Sequence, residues 1–285
     1  MVHYGEAVTC CSLSKDDTLL VSGGQNFLTL FNIESSDNTL KIGTAHLFQG
    51  ETGISSVTFS YDSRFFLSSS LDKAIKIWET VEKECYKTFE DAHSNEIPCV
   101  AISTDNRMIW SCSKDQTLKL WNSLGCVKYT VKEEDPVNHL EVRSDVVYYS
   151  HGNKVSAFQS IYGDYSSNLL YTGKEDIVHI GLCPSGQTLF FVESKSVLTA
   201  LDVSSKAVLY KIQLDSAIHC LAVHPTRMEI AVGNENGIVL LDISSKTITK
   251  NTLAYGTISC HCLNWDSQGR YLISGFKDGF IRVWK

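Results

Sequence analysis

The sequence predicts an all-β chain in which residues 1–285 form one domain, a seven-bladed β-propeller, and three observations carry that prediction. A unit ending in an aromatic residue or leucine recurs at intervals of 37 to 47 residues, around the ~40–45-residue period of propeller blades. Inside each unit apolar and polar residues alternate, and Val, Ile, Thr, Leu and aromatics dominate, which is a strand pattern. No long stretch repeats at the 3.6-residue spacing of an amphipathic helix.

Three units are plain. Residues 68–78 read SSSLDKAIKIW, residues 111–121 read SCSKDQTLKLW and residues 274–284 read SGFKDGFIRVW. Each has small residues, an Asp turn, an alternating strand and a terminal Trp six positions after the Asp: Asp72 to Trp78, Asp115 to Trp121, Asp278 to Trp284. Four weaker units end at Phe31, Phe158, Leu201 and Leu241. Upstream of each unit stands a further apolar strand and turn, as in VTCCSLSKDD, SSVTFSYDS, PCVAISTDN, VHIGLCPSG, HCLAVHPTR and CHCLNWDSQ, with the fourth, NHLEVRSD, the most eroded. A small antiparallel sheet cannot cover both of its faces alone, so seven such units stack radially around a channel.

The third unit is the most complete, and its residues are those of a WD40-type blade. His93 precedes the first strand, Ser111 and Ser113 lie on the second, Asp115 is in the turn and Trp121 ends the third. These form a structural hydrogen-bond network in the expected reading. His, Ser and Asp are also the members of a hydrolase triad, but the set follows blade spacing, lacks a G-x-S-x-G elbow and has Trp as its fourth member. Only Met1 and Val2 precede His3, so the seventh blade is expected to lack its outer closing strand and to leave an open edge.

Composition narrows the function. The chain is 43% hydrophobic and 20% charged, with a formal charge of −7 and a pI near 5.7, which argues against a free-standing nucleic-acid binder unless a local basic patch exists. The N-terminus has no basic segment followed by an apolar run, and no ~18-residue apolar run occurs, so a cytoplasmic protein without membrane contact is expected. The ten cysteines sit mostly in strand patterns, as Cys99, Cys220 and Cys262 do, and offer only Cys10 beside Cys11 and a C-x-C at Cys260 and Cys262. Zinc sites favour C-x2–4-C pairs, so buried free thiols are expected, with no metal and no cofactor. The acids Asp16, Asp17, Glu133, Glu134 and Asp135 fall in turns, and no P-loop or dinucleotide fingerprint is present. No catalytic residue and no small-molecule substrate are expected.

CVAISTDNRMIWSCSKDQT and LKLWNSLGCVKYTVKEED together resemble the third blade of the family of the receptor for activated C kinase, the Gβ-like scaffold of the eukaryotic small ribosomal subunit. The stretches AIHCLAVHPTRMEIAVGNENGIVLLDI and ISCHCLNWDSQGRYLISGFKDGFIRVWK are similar to its last two blades. The resemblance implies a non-enzymatic scaffold on the 40S head near the mRNA exit, in contact with rRNA and neighbouring ribosomal proteins and open to kinases and other signalling partners. Departures stand beside it. The family's Arg-Asp-Lys turn in the first blade is replaced by Gly24-Gln25-Asn26-Phe27, residues 44–50 (TAHLFQG) lack the basic residues expected before the second blade, and the loop TKNTLAYGT, residues 249–257, is short. The remaining candidates for phosphate contact are the turn and strand cations Lys73, Lys76, Lys114, Lys119, Lys277 and Arg282. Residues 146–171 hold five tyrosines in a weak blade, a place to look for a protein partner. The alternative reading is another WD-repeat propeller of translation, such as the propeller subunit of initiation factor three, or a free Gβ-like signalling adaptor.

Overall fold

The computed structural model describes residues 2–36, 39–161, 164–243, 251–253 and 258–285. Among them every regular element is a strand, and the strands form seven four-stranded antiparallel sheets. The strands of each blade are lettered A to D from the channel outward. The A strands are Val8–Leu13, Ile54–Phe59, Cys99–Ile102, Val137–Arg143, Ile177–Leu182, Ile218–Val223 and Cys260–Trp265. Each packs beside the next and the last beside the first, which closes the ring. The residues read as unit ends, Phe31, Trp78, Trp121, Phe158, Leu201, Leu241 and Trp284, all lie on C strands.

The core consists of the faces that neighbouring blades present to each other. Trp110, Leu118 and Leu120 of the third blade pack with Leu140, Val147 and Phe158 of the fourth, and fully burying one such side chain contributes ~1.5–3 kcal/mol. Close approach requires glycine at Gly233, where a Cβ would meet Cys220 Sγ at 2.4 Å and Cys260 Sγ at 2.9 Å. Eight of the ten cysteines are buried free thiols, whereas Cys85 and Cys126 are exposed on the rim.

The expectation of an open seventh blade is corrected. Its sheet runs Cys260–Trp265, Leu272–Phe276, Phe280–Trp284 and then Val2–His3, with Val2 opposite Ile281 and His3 opposite Phe280. Two residues suffice because their neighbours extend the contact. Tyr4 N donates to the Gly279 carbonyl at 3.1 Å, its ring stacks on Phe27 at 4.0 Å, and its hydroxyl is 3.1 Å from Ser22 Oγ in the first blade. The eroded fourth blade is also complete, with B, C and D strands Val146–His151, Lys154–Ile161 and Asp164–Thr172. Its tyrosines serve the fold: Tyr148 and Tyr149 are buried, Tyr165 stacks on Phe158 at 5.6 Å, and Tyr171 donates to Glu193 at 3.2 Å. Tyr162 and most of the 249–257 loop lie outside the described residues.

Because each blade is an up-and-down sheet, its AB and CD turns emerge on one face of the ring and its BC turns and DA loops on the other. Hydrogen bonds link the AB turns of adjacent blades. Tyr61 N donates to Asn106 Oδ1 at 2.7 Å, Ser267 N to Asp17 at 2.9 Å, His224 Nε2 to the Gly269 carbonyl at 3.0 Å, and the Arg143 guanidinium to the Pro184 carbonyl.

Candidate functional site

The residues singled out in the third blade meet. Trp121 Nε1 donates to Ser111 Oγ at 2.8 Å, Ser111 Oγ lies 2.7 Å from His93 Nε2, and His93 Nδ1 lies 3.0 Å from Asp115 Oδ2. Thr117, which sequence reasoning missed, sits 3.0 Å from His93 Nδ1 and donates to Asp115 Oδ1 at 2.6 Å. Burial pushes His93 down to about 4 despite the adjacent Asp115 carboxylate. Partial burial opposes ionisation of Asp115, but donors from Thr117 and the Ser94 N–H, with His93 beside it, pull it down to about 2. At neutral pH the protons therefore run one way, from indole to hydroxyl to a neutral imidazole to carboxylate. Ser111 is fully buried and held by Trp121, so its hydroxyl is closed to an external substrate. Ser113 stands apart from this chain; its Oγ donates to the Glu96 carbonyl at 2.8 Å and accepts from Asp115 N at 3.0 Å, which anchors the turn.

Four of the six candidate cations are engaged inside the molecule. Lys76 pairs with Glu51 at 2.6 Å. Lys119 donates to the Ala92 carbonyl at 2.6 Å and lies over the Trp121 ring. Lys114 donates to Asn138 Oδ1 at 2.5 Å. Arg282 is buried, pairs with Asp278 at 2.6 Å, and sits against the rings of Phe276 and Phe280. Lys76, Lys119 and Arg282 stand on C strands, which face neighbouring blades, so each meets a carbonyl or carboxylate before it meets solvent, whereas Lys114 reaches Asn138 from a BC turn. Lys73 and Lys277, on BC turns, are exposed.

Other blades use different clamps. In the fourth, His151 Nε2 lies 2.9 Å from Ser156 Oγ and His151 Nδ1 lies 3.4 Å from Glu133, while Tyr149 donates to Glu133 at 2.6 Å. In the fifth, buried Glu193 accepts from Lys211 at 2.5 Å, from Tyr171 and from Lys174 N. The channel contains a cavity of about 330 Å³ whose lining includes His139, His179, His261 and Glu141. Enclosure pushes His139 down to about 4 and His179 to about 3, and pushes Glu141 up to about 7. No group of three or more His, Cys, Asp or Glu among the described residues is arranged to hold a metal ion.

The sequence profile of the WD domain, G-beta repeat, matches residues 2–42, 38–79, 83–122 and 250–285, more than half of the chain. The chain belongs to the WD-repeat family. The profile passes over residues 123–249, the blades in which Phe158, Leu201 and Leu241 replace the terminal Trp. Two relatives align with nearly the whole chain. Small ribosomal subunit protein RACK1 of Schizosaccharomyces pombe is 27% identical over 301 residues, covering 99% of this chain and 95% of the relative. That of Candida albicans is 27% identical over 297 residues, covering 99% and 93%. A third, RACK1 of Brassica napus, is 29% identical over 123 residues, 37% of this chain and 38% of the relative. The chain thus matches 31% to 38% of the length of these plant relatives and 93% to 95% of the two that align end to end. It is a divergent relative of the RACK1 proteins. No helix among the described residues is long and apolar enough to cross a membrane.

Proposed function

We propose that this WD-repeat propeller is a non-enzymatic cytoplasmic scaffold of the small (40S) ribosomal subunit, docked on its head near the mRNA exit, in contact with rRNA and neighbouring ribosomal proteins. Its remaining faces present docking surfaces to kinases and other signalling proteins. The observation that carries the proposal is the end-to-end alignment with two proteins named as small ribosomal subunit components. A buried, fully hydrogen-bonded His-Ser-Asp set supports a structural rather than a chemical role for those residues.

Sedimentation of cell extract in a sucrose gradient at near-physiological salt tests the reading. The expected result is co-migration with free small subunits and with polysomes. Migration with a soluble initiation complex would transfer the chain to the initiation-factor reading, and migration as a free monomer would favour a signalling adaptor.

A further inference from the structure

The seven A strands line the channel, but the blades do not close its wall in the same way. In the first, second and fourth blades the residue at the bulge of strand A reaches sideways to a carbonyl of the next blade. Thr9 Oγ1 donates to the Ile54 carbonyl at 2.9 Å, Ser55 Oγ to the Ile97 carbonyl at 2.6 Å, and Asn138 Nδ2 to the Ile177 carbonyl at 2.9 Å. In the sixth and seventh blades the bulge residue is a histidine, His219 and His261, and neither ring makes a hydrogen bond within the described fold. His139, beside the bulge of the fourth strand, and His179 in the fifth are equally without a hydrogen bond, and His139 Nδ1 is buried in that state.

These four rings follow one another around the channel. His139 and His179 meet edge to face with centroids 5.4 Å apart, and His219 and His261 lie 5.2 Å apart. His139, His179 and His261 line the cavity of about 330 Å³, and His219 and His261 line a hollow of about 520 Å³ at the BC-turn mouth, so the two spaces meet at His261. Lys114 and Lys277 stand at the two ends of the arc. Burial pushes His179 down to about 3, with His139, His219 and Lys114 acting in the same direction, and burial, His219 and Lys277 lower His261. Acids are few. Glu141 faces the same cavity without a hydrogen-bond partner, and burial pushes it up to about 7 against the pull of Lys15 and Arg143. At the BC-turn mouth Asp278 is tied to Arg282, and Glu235 is exposed.

We infer that the histidine arc of the fourth to seventh blades is a binding site for a small multivalent oxyanion, a phosphate ester or a polycarboxylate, held inside the channel by imidazole N–H groups. A neutral imidazole carries one N–H in either tautomer, so the four rings offer four donors that nothing in the fold accepts. Hydrogen bonds from such donors to an anion are strong where water is scarce. A cation fits less well. Among the described residues no three His, Cys, Asp or Glu are arranged to hold a metal ion, and Glu141 is the one carboxyl in the middle of the channel. Two imidazoles in contact resist double protonation, and an anion between them removes that penalty and raises their pKa, so binding takes up protons. Above pH 7 the Glu141 carboxylate opposes an anion, which acts in the same direction. An enclosed cavity of about 330 Å³ has the size of a small-molecule site and excludes a folded chain or a nucleic-acid duplex. The site is independent of where the propeller docks.

The test is calorimetric titration of the full chain with inorganic pyrophosphate and with citrate at pH 6, 7 and 8. The proteins are the parent, His179→Leu with His219→Leu, His179→Asn with His219→Asn, and Lys128→Gln on the exposed rim as control, with thermal melts to confirm folding. The parent is expected to bind one anion per chain, more tightly as pH falls from 8 to 6, by up to about tenfold per pH unit for each proton taken up. The leucine variant, which loses two donors to a charged ligand, is expected to bind more weakly by about tenfold or more. The asparagine variant keeps an amide donor but cannot take a proton, so it should retain part of the affinity and lose part of the pH dependence; it carries the test if the leucine variant fails to fold. The control is expected to match the parent. Tighter binding of pyrophosphate identifies a phosphate ligand and tighter binding of citrate a carboxylate one. No saturable binding of either anion at pH 6, equal affinity in the parent and the leucine variant, affinity that rises with pH, or histidine-dependent uptake of Zn²⁺ in place of the anions would each overturn the inference.

Discussion

The third and fourth blades share a plan of four strands but reverse the polar clamp inside it. In the third, the loop before strand A contributes the histidine, His93, and the BC turn contributes the acid, Asp115. In the fourth, the loop contributes the acid, Glu133, and the end of strand B contributes the histidine, His151. Ser111 pairs across the sheet with Lys119, and Tyr149 occupies the matching register opposite Ser156. With Phe158 where Trp121 would be, the indole donor is lost, and the tyrosine hydroxyl takes over the bond to the acid. The blade therefore requires a connection between its entry loop and its inner strands, made in the third by His93 with Asp115 and in the fourth by Tyr149 with Glu133, while the buried His151 Nδ1, 3.4 Å from Glu133, is left without a hydrogen bond.

Acid provides the largest expected effect on both clamps at once. His93, His139 and His179 have pKa values depressed by enclosure to about 4, 4 and 3, and burial lowers His151 as well. The unfolded chain takes up protons near pH 6.5 that the folded one refuses, so these histidines contribute fully above that pH and lose their contribution as pH falls from 6.5 toward 4, at up to ~1.4 kcal/mol per pH unit each, with Glu141, raised from 4.5 to about 7, offsetting one of them over that range. Urea denaturation midpoints at pH 7, 6 and 5 should fall in that order, and His93→Gln should flatten the trend measurably. An unchanged slope in that variant would mean that the imidazole of the third blade is already protonated in the folded state.

Removing the acid of the third clamp is the next largest change. Asp115→Ala leaves the His93 and Thr117 donors without their acceptor and is expected to cost about 1–3 kcal/mol, read as a lowered melting temperature. The matching change in the fourth blade should be milder. Tyr149→Phe removes the bond to Glu133, but that carboxylate side chain is 17% accessible and can reach water, so about 0.5–1.5 kcal/mol is expected. Equal losses in chemical denaturation of the two variants would refute the idea that the third clamp is the more enclosed.

How much of this was readable beforehand depends on how strongly each feature marks the sequence. Trp78, Trp121 and Trp284 at fixed distance from an aspartate announce the ring, because an indole that must meet a serine across the sheet fixes its own register. The closing strand was missed because two residues are too few to show an alternation. The fourth clamp was missed because its acid and histidine exchange places, so no constant spacing identifies them. Of the cations beside the Asp-Trp motif, strand C directs Lys76, Lys119 and Arg282 into the blade, a burial that the motif's spacing does not reveal, while Lys73 and Lys277 on BC turns face solvent.

The pairing of Val2 and His3 with Ile281 and Phe280 also orders events in time. During synthesis the blades emerge from first to last, and the strand that closes the ring must wait for the blade it completes. Until the seventh blade leaves the exit tunnel, the nascent chain is an arc with two raw ends. The face of the first blade that will receive Cys262, Ile273 and Ile281 against Val8, Leu13 and Phe31 stays uncovered through that interval. Unfinished chains with exposed apolar surface are prone to misassembly, so premature termination anywhere in the last blade should yield aggregates or chaperone clients in place of a shortened propeller.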